Sequence, residues 1–228
     1  MEHKFCLIGN SHTSQFDNPN MNILYGYGAS ICGLYNQNSI LQLKQKILDY
    51  QSLNPEKTLI FFLGQSDIEF IYYFKSIINQ KKILIDEFIN FWVEKYVEFV
   101  KTYIKKPIIL GINPTVIKNN EHIFNINFRD NISNNINPSG INLLHINYSN
   151  VKHYYDDFDI RFNNNLNFNK KLKSECEKNN IIYIDLNDEV LNQNMKVKEL
   201  YQPISDDHHI VKNIRLYNVL IDKIKYFI

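Results

Sequence analysis

The stretch TLIFFLG, Thr58 to Gly64, is a largely apolar run of strand length that stops at a glycine. Such a run is typical of a strand in a parallel sheet, because helices cover both faces of that kind of sheet and bury nearly every side chain. Two comparable runs lie on either side of it along the chain: Lys4–Ile8, which ends at Gly9, and Pro107–Ile112, which ends at Asn113. The three runs predict the centre of a parallel sheet.

Helical segments separate these strands. Apolar residues recur at helical spacing, for example at Leu43, Ile47 and Leu48. Helices are predicted at 38–50, 68–78, 86–104 and 156–180, with a last helix ending in LIDKIKYFI at 220–228, and further strands at 21–25 and 181–186. Strands that alternate with helices predict an α/β fold, a three-layer α/β/α sandwich of flavodoxin-like type with a central parallel sheet.

The length and composition of the chain predict one domain spanning residues 1–228. With 228 residues, 44% of them hydrophobic, the chain can bury a sizeable core. The segment from about 116 to 150 is polar and rich in asparagine, and is expected to be an excursion from the sheet. An aromatic face of the helix 86–104 is expected to pack in the core; it comprises Phe88, Phe91, Trp92, Tyr96, Phe99 and Tyr103.

Charge and hydropathy argue against several classes of function. The net charge is +1, from 25 basic and 24 acidic residues, and no Lys- and Arg-rich block interleaved with aromatics is present, so nucleic-acid binding is not expected. No apolar run approaches the ~18 residues of a membrane span, and no signal-peptide pattern is visible. A cytoplasmic protein without a membrane span is therefore expected. Cys6, Cys32 and Cys176 fit neither a disulfide framework nor a zinc pattern.

Polar residues follow the predicted strands. Gly9-Asn10-Ser11-His12 comes after the first strand, GYGASICG (26–33) after the second and GQSD (64–67) after the third, while SDDHHI (205–210) precedes the last helix. In a doubly wound sheet, functional groups lie just past the carboxyl ends of the strands. These segments are therefore predicted to meet at one edge of the sheet.

In order and position, the four segments resemble the conserved blocks of the SGNH (GDSL-type) hydrolase family. Gly9-Asn10-Ser11 is similar to the Gly-Asp-Ser run of block one, with Asn in place of Asp. ASICG, which ends at Gly33, resembles the ASISG-like segment of block two. GQSD resembles the Gly-x-Asn-Asp of block three, with Ser66 in place of Asn, and 206–209 fits the Asp-x-x-His of block five.

The resemblance implies a serine nucleophile. Ser11 would attack the substrate, His209 would take its proton, and Asp206 would hold the imidazole in the required tautomer. Asp207 is the alternative acid if the loop turns differently. The implied activity is that of a serine esterase that forms an acyl-Ser11 intermediate on a small-molecule or glycan ester, with a small acyl group on a carbohydrate as the first expectation.

The resemblance also implies donors for the oxyanion. The backbone N–H groups of Ser11 and Gly33 would supply two of them, and the position of the family's third donor, an asparagine, holds Ser66. Loss of one such donor typically costs ~10²–10³ in rate. Either Ser66 reaches the oxyanion, or Gln65 or Asn10 substitutes for it, or the activity is reduced.

Other polar residues near these segments are not predicted to take part in catalysis. His12 is expected to line the substrate pocket, and His208 to be a surface or supporting group. Glu69 is expected to face solvent or to cap a helix.

Other functions remain open on the sequence alone. The same acyl-enzyme would serve an O-acyltransferase acting on a sugar hydroxyl, and the changes at positions 10 and 66 favour a catalytically silent domain that binds a glycan or a partner. The pair of acids and histidines in DDHH suggests a metal, but adjacent positions point in different directions and no third ligand is near in sequence. GYGASICG has the wrong glycine spacing for a dinucleotide fingerprint. No metal and no cofactor are therefore predicted.

Overall fold

The computed structural model describes residues 4–16, 18, 19, 21–129, 145–205 and 207–227. Five parallel strands form one sheet in the order β2-β1-β3-β4-β5. The strands are β1 Phe5–Gly9, β2 Asn22–Tyr25, β3 Thr58–Phe62, β4 Pro107–Leu110 and β5 Ile182–Ile184. This order is that of the flavodoxin-like sheet, and it confirms the predicted α/β/α architecture.

Helices connect the strands and cover both faces of the sheet. The α-helices are α1 Ile31–Tyr35, α2 Leu43–Leu53, α3 Tyr72–Ile78, α4 Ile85–Tyr103, α5 Asn120–Phe128, α6 Tyr148–Val151, α7 Phe158–Lys178, α8 Asn187–Val190 and α9 Ile214–Lys225. A 3₁₀ helix, Ser11–Phe16, follows β1, and a π-helix, Asp67–Ile71, leads into α3. Among the described residues, no helix combines the length and the apolar character needed to cross a membrane.

Alternate residues of each strand enter two separate cores. On one face, Ile8, Phe61 and Ile109 pack with side chains of α1 to α5 and α7. On the other face, Ile60 and Leu110 pack with the 3₁₀ helix after β1 and with α8 and α9. Because both faces are covered, the three central strands β1, β3 and β4 are almost wholly apolar, which is the pattern that Thr58–Gly64 shows in the sequence.

The predicted aromatic face of α4 is only partly correct. Phe88, Tyr96 and Phe99 are buried, and Trp92 is partly buried, whereas Phe91 is 52% and Tyr103 is 42% exposed. Phe91 lies about 100° around the helix from Trp92, outside the buried face. Tyr103 is in the last turn, where the Lys44 ammonium lies 4.5 Å from its ring.

The asparagine-rich region contains more structure than predicted. Helix α5, Asn120–Phe128, packs Ile123 and Phe124 into the main core. The regular pattern was hidden because its apolar residues alternate with asparagines. Residues 130–144 of the predicted excursion lie outside the described residues.

Candidate active site

Three side chains from two distant segments form a hydrogen-bonded chain at the carboxyl edge of the sheet. Ser11 Oγ lies 2.8 Å from His209 Nε2. On the other side of the ring, His209 Nδ1 lies 2.7 Å from Asp207 Oδ1. A hydroxyl, an imidazole and a carboxylate in this order can remove the hydroxyl proton and stabilise the imidazolium that results.

The end of β1 positions Ser11. Gly9 is the last residue of the strand, and a Cβ on it would lie 2.5 Å from the carbonyl oxygen of Phe62 and 2.6 Å from Thr13 Cγ2, so only glycine fits there. The chain then turns directly into the 3₁₀ helix that begins at Ser11. Ser11 is therefore held at the junction between β1 and β3, where the order of the strands reverses.

The loop before α9 supplies the acid and the base. Asp207 Oδ1 also accepts the backbone N–H of His209 at 3.1 Å, so one carboxylate oxygen is bonded to both the backbone and the ring of the same residue. The sequence interpretation gave this role to Asp206, which lies outside the described residues. The contact with His209 is made by Asp207, because its spacing of two residues closes a local turn between side chain and backbone.

The electrostatic environment of this chain keeps the carboxylate charged. Partial burial raises the pKa of Asp207, but the hydrogen bonds from the backbone and ring of His209 outweigh burial and hold the pKa below its ordinary value. Asp207 is therefore ionised at neutral pH, the state in which it stabilises a protonated His209.

The two departures from the family motifs are bonded to each other. Asn10 is fully buried, and its Nδ2 donates to Ser66 Oγ at 2.9 Å and to the carbonyl of Ala29 at 3.4 Å. Its Oδ1 accepts the backbone N–H of His12. The amide of Asn10 thus joins the segments after β1, β2 and β3, and both of its amide hydrogens are used within the protein.

The other expected oxyanion donors differ in whether their hydrogen already has an acceptor within the protein. The backbone N–H of Gly33 donates to Ser30 Oγ at 3.0 Å, in the N-cap of α1. The oxygen of Ser66 accepts from Asn10, which leaves the hydroxyl hydrogen of Ser66 for another acceptor. Ser11 opens its 3₁₀ helix, so its N–H has no acceptor within that helix.

Gln65 lies in a buried network behind the site. Its Nε2 donates to Glu69 Oε1 at 2.7 Å, and its Oε1 accepts the backbone N–H of Asn113 at 2.9 Å. Asn165 of α7 also donates to Glu69 Oε1, at 3.1 Å. Gln65 therefore ties β3 to β4 and α7, and its amide nitrogen is engaged by protein acceptors.

Glu69 is buried, contrary to the expectation that it faces solvent. Only 2% of the residue is exposed, because the π-helix that contains it packs against α5 and α7. Burial raises the pKa of Glu69 to about 7, against the opposing effect of the hydrogen bonds that it accepts and of Arg161. The sequence shows no sign of this beyond the apolar residues on each side of Glu69.

Asp67 links two of the motif segments, a role that the sequence analysis did not assign. Its two carboxylate oxygens accept the backbone N–H groups of Ile31, at 2.8 Å, and Cys32, at 3.0 Å. The third motif segment thereby fixes the start of α1 in the second. The aspartate at the end of Gly-x-Asn-Asp was the signal that pointed to such a role.

Two further histidines surround the base. The ring centroid of His12 lies 4.6 Å from that of His209 and 5.2 Å from that of His208. The rings of His208 and His209 are 3.8 Å apart, and Phe70 packs edge-on against His208 at 5.3 Å. Burial, together with the neighbouring histidines, holds the pKa of His12 well below its ordinary value and lowers that of His208 to about 3, against the opposing effect of Asp207. Both rings are therefore neutral at physiological pH.

A cavity of about 910 Å³ adjoins the loop that carries Asp207 and His209. Phe158, Phe162 and Leu166 of α7 form one wall, and the segment 202–205 forms another. Neither Ser11 nor His209 lines it. The cavity is therefore separate from the hydrogen-bonded chain and adjoins the loop on its N-terminal side.

Comparisons with known proteins give matches in structure alone. No protein-family model matches the chain, and no curated protein matches it. An acetylxylan esterase from Geobacillus stearothermophilus, solved as a catalytic mutant, is 11% identical, with a TM-score of 0.55 over 98% of this chain and 94% of its own. A carbohydrate acetylesterase from Sinorhizobium meliloti is 12% identical, with a TM-score of 0.55 over 99% and 100% of the two chains.

A GDSL-like lipase from Bacteroides thetaiotaomicron is 11% identical, with a TM-score of 0.53 over 97% of this chain and 87% of its own. At such low identity, the likeness concerns the path of the backbone. It extends over nearly the whole of this chain and most or all of each neighbour. The expectation drawn from the four motif segments is thus confirmed at the level of architecture: the chain has the fold of the SGNH (GDSL-type) hydrolases.

Proposed function

We propose that this protein is a serine esterase that hydrolyses a carboxylic ester through an acyl-Ser11 intermediate. The observation that carries the proposal is the continuous hydrogen-bonded chain from Ser11 Oγ through His209 to Asp207. A serine hydroxyl is a poor nucleophile at neutral pH, and a base at 2.8 Å supplies the activation that it needs.

In the first half of the reaction, Ser11 Oγ attacks the carbonyl carbon of the ester while its proton moves to His209 Nε2. Asp207 accepts the Nδ1–H, so the base keeps its reactive nitrogen towards Ser11 and the new positive charge is stabilised. The tetrahedral intermediate collapses when the alcohol oxygen leaves with the proton held by His209. The products of this half are the free alcohol and the acyl-enzyme.

The oxyanion of the intermediate needs donors that are already in place. The N–H of Ser11 has no acceptor in its helix, and the hydroxyl hydrogen of Ser66 remains for a substrate while Asn10 donates to its oxygen. The N–H of Gly33 becomes available only when the substrate oxygen displaces Ser30 Oγ as its acceptor. Gln65 and Asn10 have their amide hydrogens committed elsewhere, so we assign them a positioning role.

In the second half, water takes the place of the alcohol. His209 removes a proton from the water, whose oxygen attacks the acyl carbon, and the same proton then returns to Ser11 Oγ as the acid leaves. No group outside the protein is required, because each proton that His209 accepts is given back within one cycle.

For the substrate, we propose a small acyl group, acetyl, on a carbohydrate hydroxyl. The rings of His12 and His208 pack around His209, the base that activates Ser11, and we infer that side chains of this size beside the base suit a short acyl group. The neighbouring cavity combines the aromatic rings of Phe158 and Phe162 with polar side chains, a lining suited to the sugar that carries the ester. The activities named for two of the similar structures, acetylxylan esterase and carbohydrate acetylesterase, support the same class.

Labelling with a fluorophosphonate tests the nucleophile directly. The folded wild-type protein should be labelled at Ser11, as located by mass spectrometry of its peptides. Ser11→Ala and His209→Ala should lose the label, whereas Ser14→Ala, the exposed serine of the same 3₁₀ helix, should keep it. Acetate release from acetylated sugars and short-chain aryl esters then ranks the substrates.

The opposite results are equally informative. If the folded wild-type protein takes no label and releases no acetate, the domain is catalytically silent. If labelling is normal but the rate rises steadily with acyl chain length, the proposal of an acetyl substrate fails while the nucleophile stands.

A further inference from the structure

We propose that His12, His208 and His209 form a binding site for a zinc-like divalent transition-metal ion, which removes His209 from its contact with Ser11 when it binds. The site is built from the segment after β1 and the loop before α9, which are almost two hundred residues apart in the chain. The metal site itself does not depend on the proposed esterase activity, whereas its inhibitory effect does.

The three imidazoles are close enough to share one ion. Each histidine offers a ring nitrogen, and the three nitrogen atoms lie within 4.8 Å of one another. In a tetrahedral site with Zn–N bonds of about 2.0–2.1 Å, ligand nitrogens are separated by roughly 3.3 Å. To bind one ion, the rings would therefore have to rotate about their side-chain bonds and close this difference.

A second observation points to a ligand at this place. The Nε2 atom of His12 is buried and has no hydrogen-bond partner within the part of the chain that the structure describes, and only 2% of the residue is exposed. A buried polar atom without a partner costs about 1–3 kcal/mol, so it is rarely left unpaired. A metal ion among the three rings would satisfy it.

Asp207 provides the support that metal-binding histidines usually have. A histidine that ligates a metal through one nitrogen commonly donates its other N–H to a carboxylate, which fixes the ring. Asp207 Oδ1 lies 2.7 Å from His209 Nδ1 and 3.5 Å from His208 Nδ1. With the Nδ1 atoms nearest to Asp207, both rings would bind an ion through Nε2, which in His209 would first have to leave Ser11 Oγ.

The ligand set selects the class of ion. Imidazole nitrogens suit Zn²⁺, Ni²⁺ and Cu²⁺, whereas Mg²⁺ and Ca²⁺ require oxygen ligands. Among the groups near the site, the Ser11 hydroxyl or a water can complete a tetrahedral shell.

Binding of the ion has a direct consequence for the proposed reaction. His209 Nε2, the atom that accepts the proton of Ser11, would become a ligand of the ion. The lone pair used for bonding to the metal is then unavailable to Ser11. Zinc would therefore act as a reversible inhibitor, because it occupies the nitrogen atom of His209 that has to accept the proton of Ser11.

The experiment measures binding independently of catalysis. Calorimetric titration of the metal-free protein with Zn²⁺ should give one site, and Co²⁺ should give the intense visible absorption of a four-coordinate ion. In His208→Gln, the affinity should fall about 10-fold to 100-fold, and in His12→Gln by a similar factor. His153→Asn removes an exposed histidine outside the site and should bind Zn²⁺ like the wild type. Titration of any of these proteins with Mg²⁺ should show no heat of binding.

Activity gives the second measurement. In His208→Gln, the zinc concentration that halves the rate, measured against the metal-free rate of the same variant, should rise by the same factor as the dissociation constant. Equal zinc affinity in the wild type and in both folded variants, or none in the wild type, would overturn the metal site. Normal zinc binding by a protein without label or hydrolysis would count against the esterase alone.

Discussion

At the level of single residues, the two positions that differ from the motifs of the SGNH hydrolases, Asn10 and Ser66, are hydrogen-bonded to each other. An aspartate at position 10 has no hydrogen to donate, whereas Asn10 donates to Ser66 Oγ and to the carbonyl of Ala29. The serine at position 66 is short enough to accept that bond and still has a hydrogen of its own. Through this hydrogen bond, the segments after β1 and β3 remain connected.

The carboxylate that supports His209 is also decided by single residues, Asp206 or Asp207. We expect Asp207→Asn to lower kcat by about 10²-fold to 10⁴-fold with a small change in KM, because the amide favours the wrong tautomer of His209 and cannot stabilise its charge. Asp206→Asn should retain most of the activity, since Asp207 makes the contacts with His209. Steady-state kinetics on an acetyl ester measure both.

The two variants serve as controls for each other, because both remove one negative charge from the same loop. A greater loss in Asp206→Asn than in Asp207→Asn would return the role of the acid to Asp206, as the Asp-x-x-His spacing suggested. Circular dichroism of the two proteins excludes a difference in folding.

At the level of elements, the ends of the strands are built around glycines that allow no side chain. Gly64, two residues after the end of β3, has φ +114°, and a Cβ on it would lie 2.4 Å from Phe168 Cζ. The close approach lets α7 pack on the end of β3 while the chain turns into the π-helix that contains Glu69. The position of the third motif segment therefore depends on this contact between strand and helix.

Gly64→Ala should destabilise the protein by roughly 2–4 kcal/mol, from unfavourable backbone geometry together with overlap with Phe168. Gly28→Ala is the matched control, because Gly28 also has a positive φ, +69°, but nothing lies within 4 Å of its Cβ position. It should cost about 1 kcal/mol. Urea unfolding of the two variants measures the difference.

Equal destabilisation in the two glycine variants would show that backbone strain alone matters, and that Phe168 moves aside at no cost. Loss of activity in Gly64→Ala under conditions where the variant is still folded would in turn show that the turn after β3 affects Ser66.

At the level of the whole molecule, a buried polar network connects the sheet to its surroundings. Glu69 accepts hydrogen bonds from Gln65, which also bonds to the backbone of Asn113, and from Asn165 of α7. The Oε2 atom of Glu69 has no hydrogen-bond partner among the described residues.

The pKa of Glu69 makes global stability depend on pH. Burial raises its pKa from 4.5 to about 7, so the folded protein holds this proton more tightly than the unfolded chain does. The contribution is therefore fully present below about pH 4.5 and is lost as the pH rises towards 7. The rise of the pKa from 4.5 to about 7 corresponds to a change of roughly 3 kcal/mol in the free energy of unfolding.

Glu69→Gln removes this proton and keeps the shape of the side chain. Relative to the wild type, its free energy of unfolding should rise by roughly 2–3 kcal/mol between pH 5 and pH 8, as measured by urea unfolding at both values. Glu87→Gln, an exposed glutamate of α4, should show no such trend. A difference between wild type and Glu69→Gln that stays constant with pH would contradict a buried proton at this position.

Much of the molecule could be predicted from local patterns. Short, largely apolar runs predicted all five strands, because a strand that is covered on both faces of the sheet carries apolar side chains along most of its length. The exposure of Phe91 and the helix at Asn120–Phe128 were missed, since both depend on which neighbours a helix finds after folding.

The amino-acid sequence by itself determined the parallel α/β architecture and brought attention to Ser11 and His209, because strand periodicity and short motifs are properties of neighbouring residues. Only the tertiary structure decided that Asp207 contacts the imidazole, that Asn10 bonds to Ser66, that Glu69 is buried and that His12 joins His208 and His209. Each of these depends on how a loop turns or on how distant segments meet. Such contacts are set by the packing of the whole chain, which no local pattern contains.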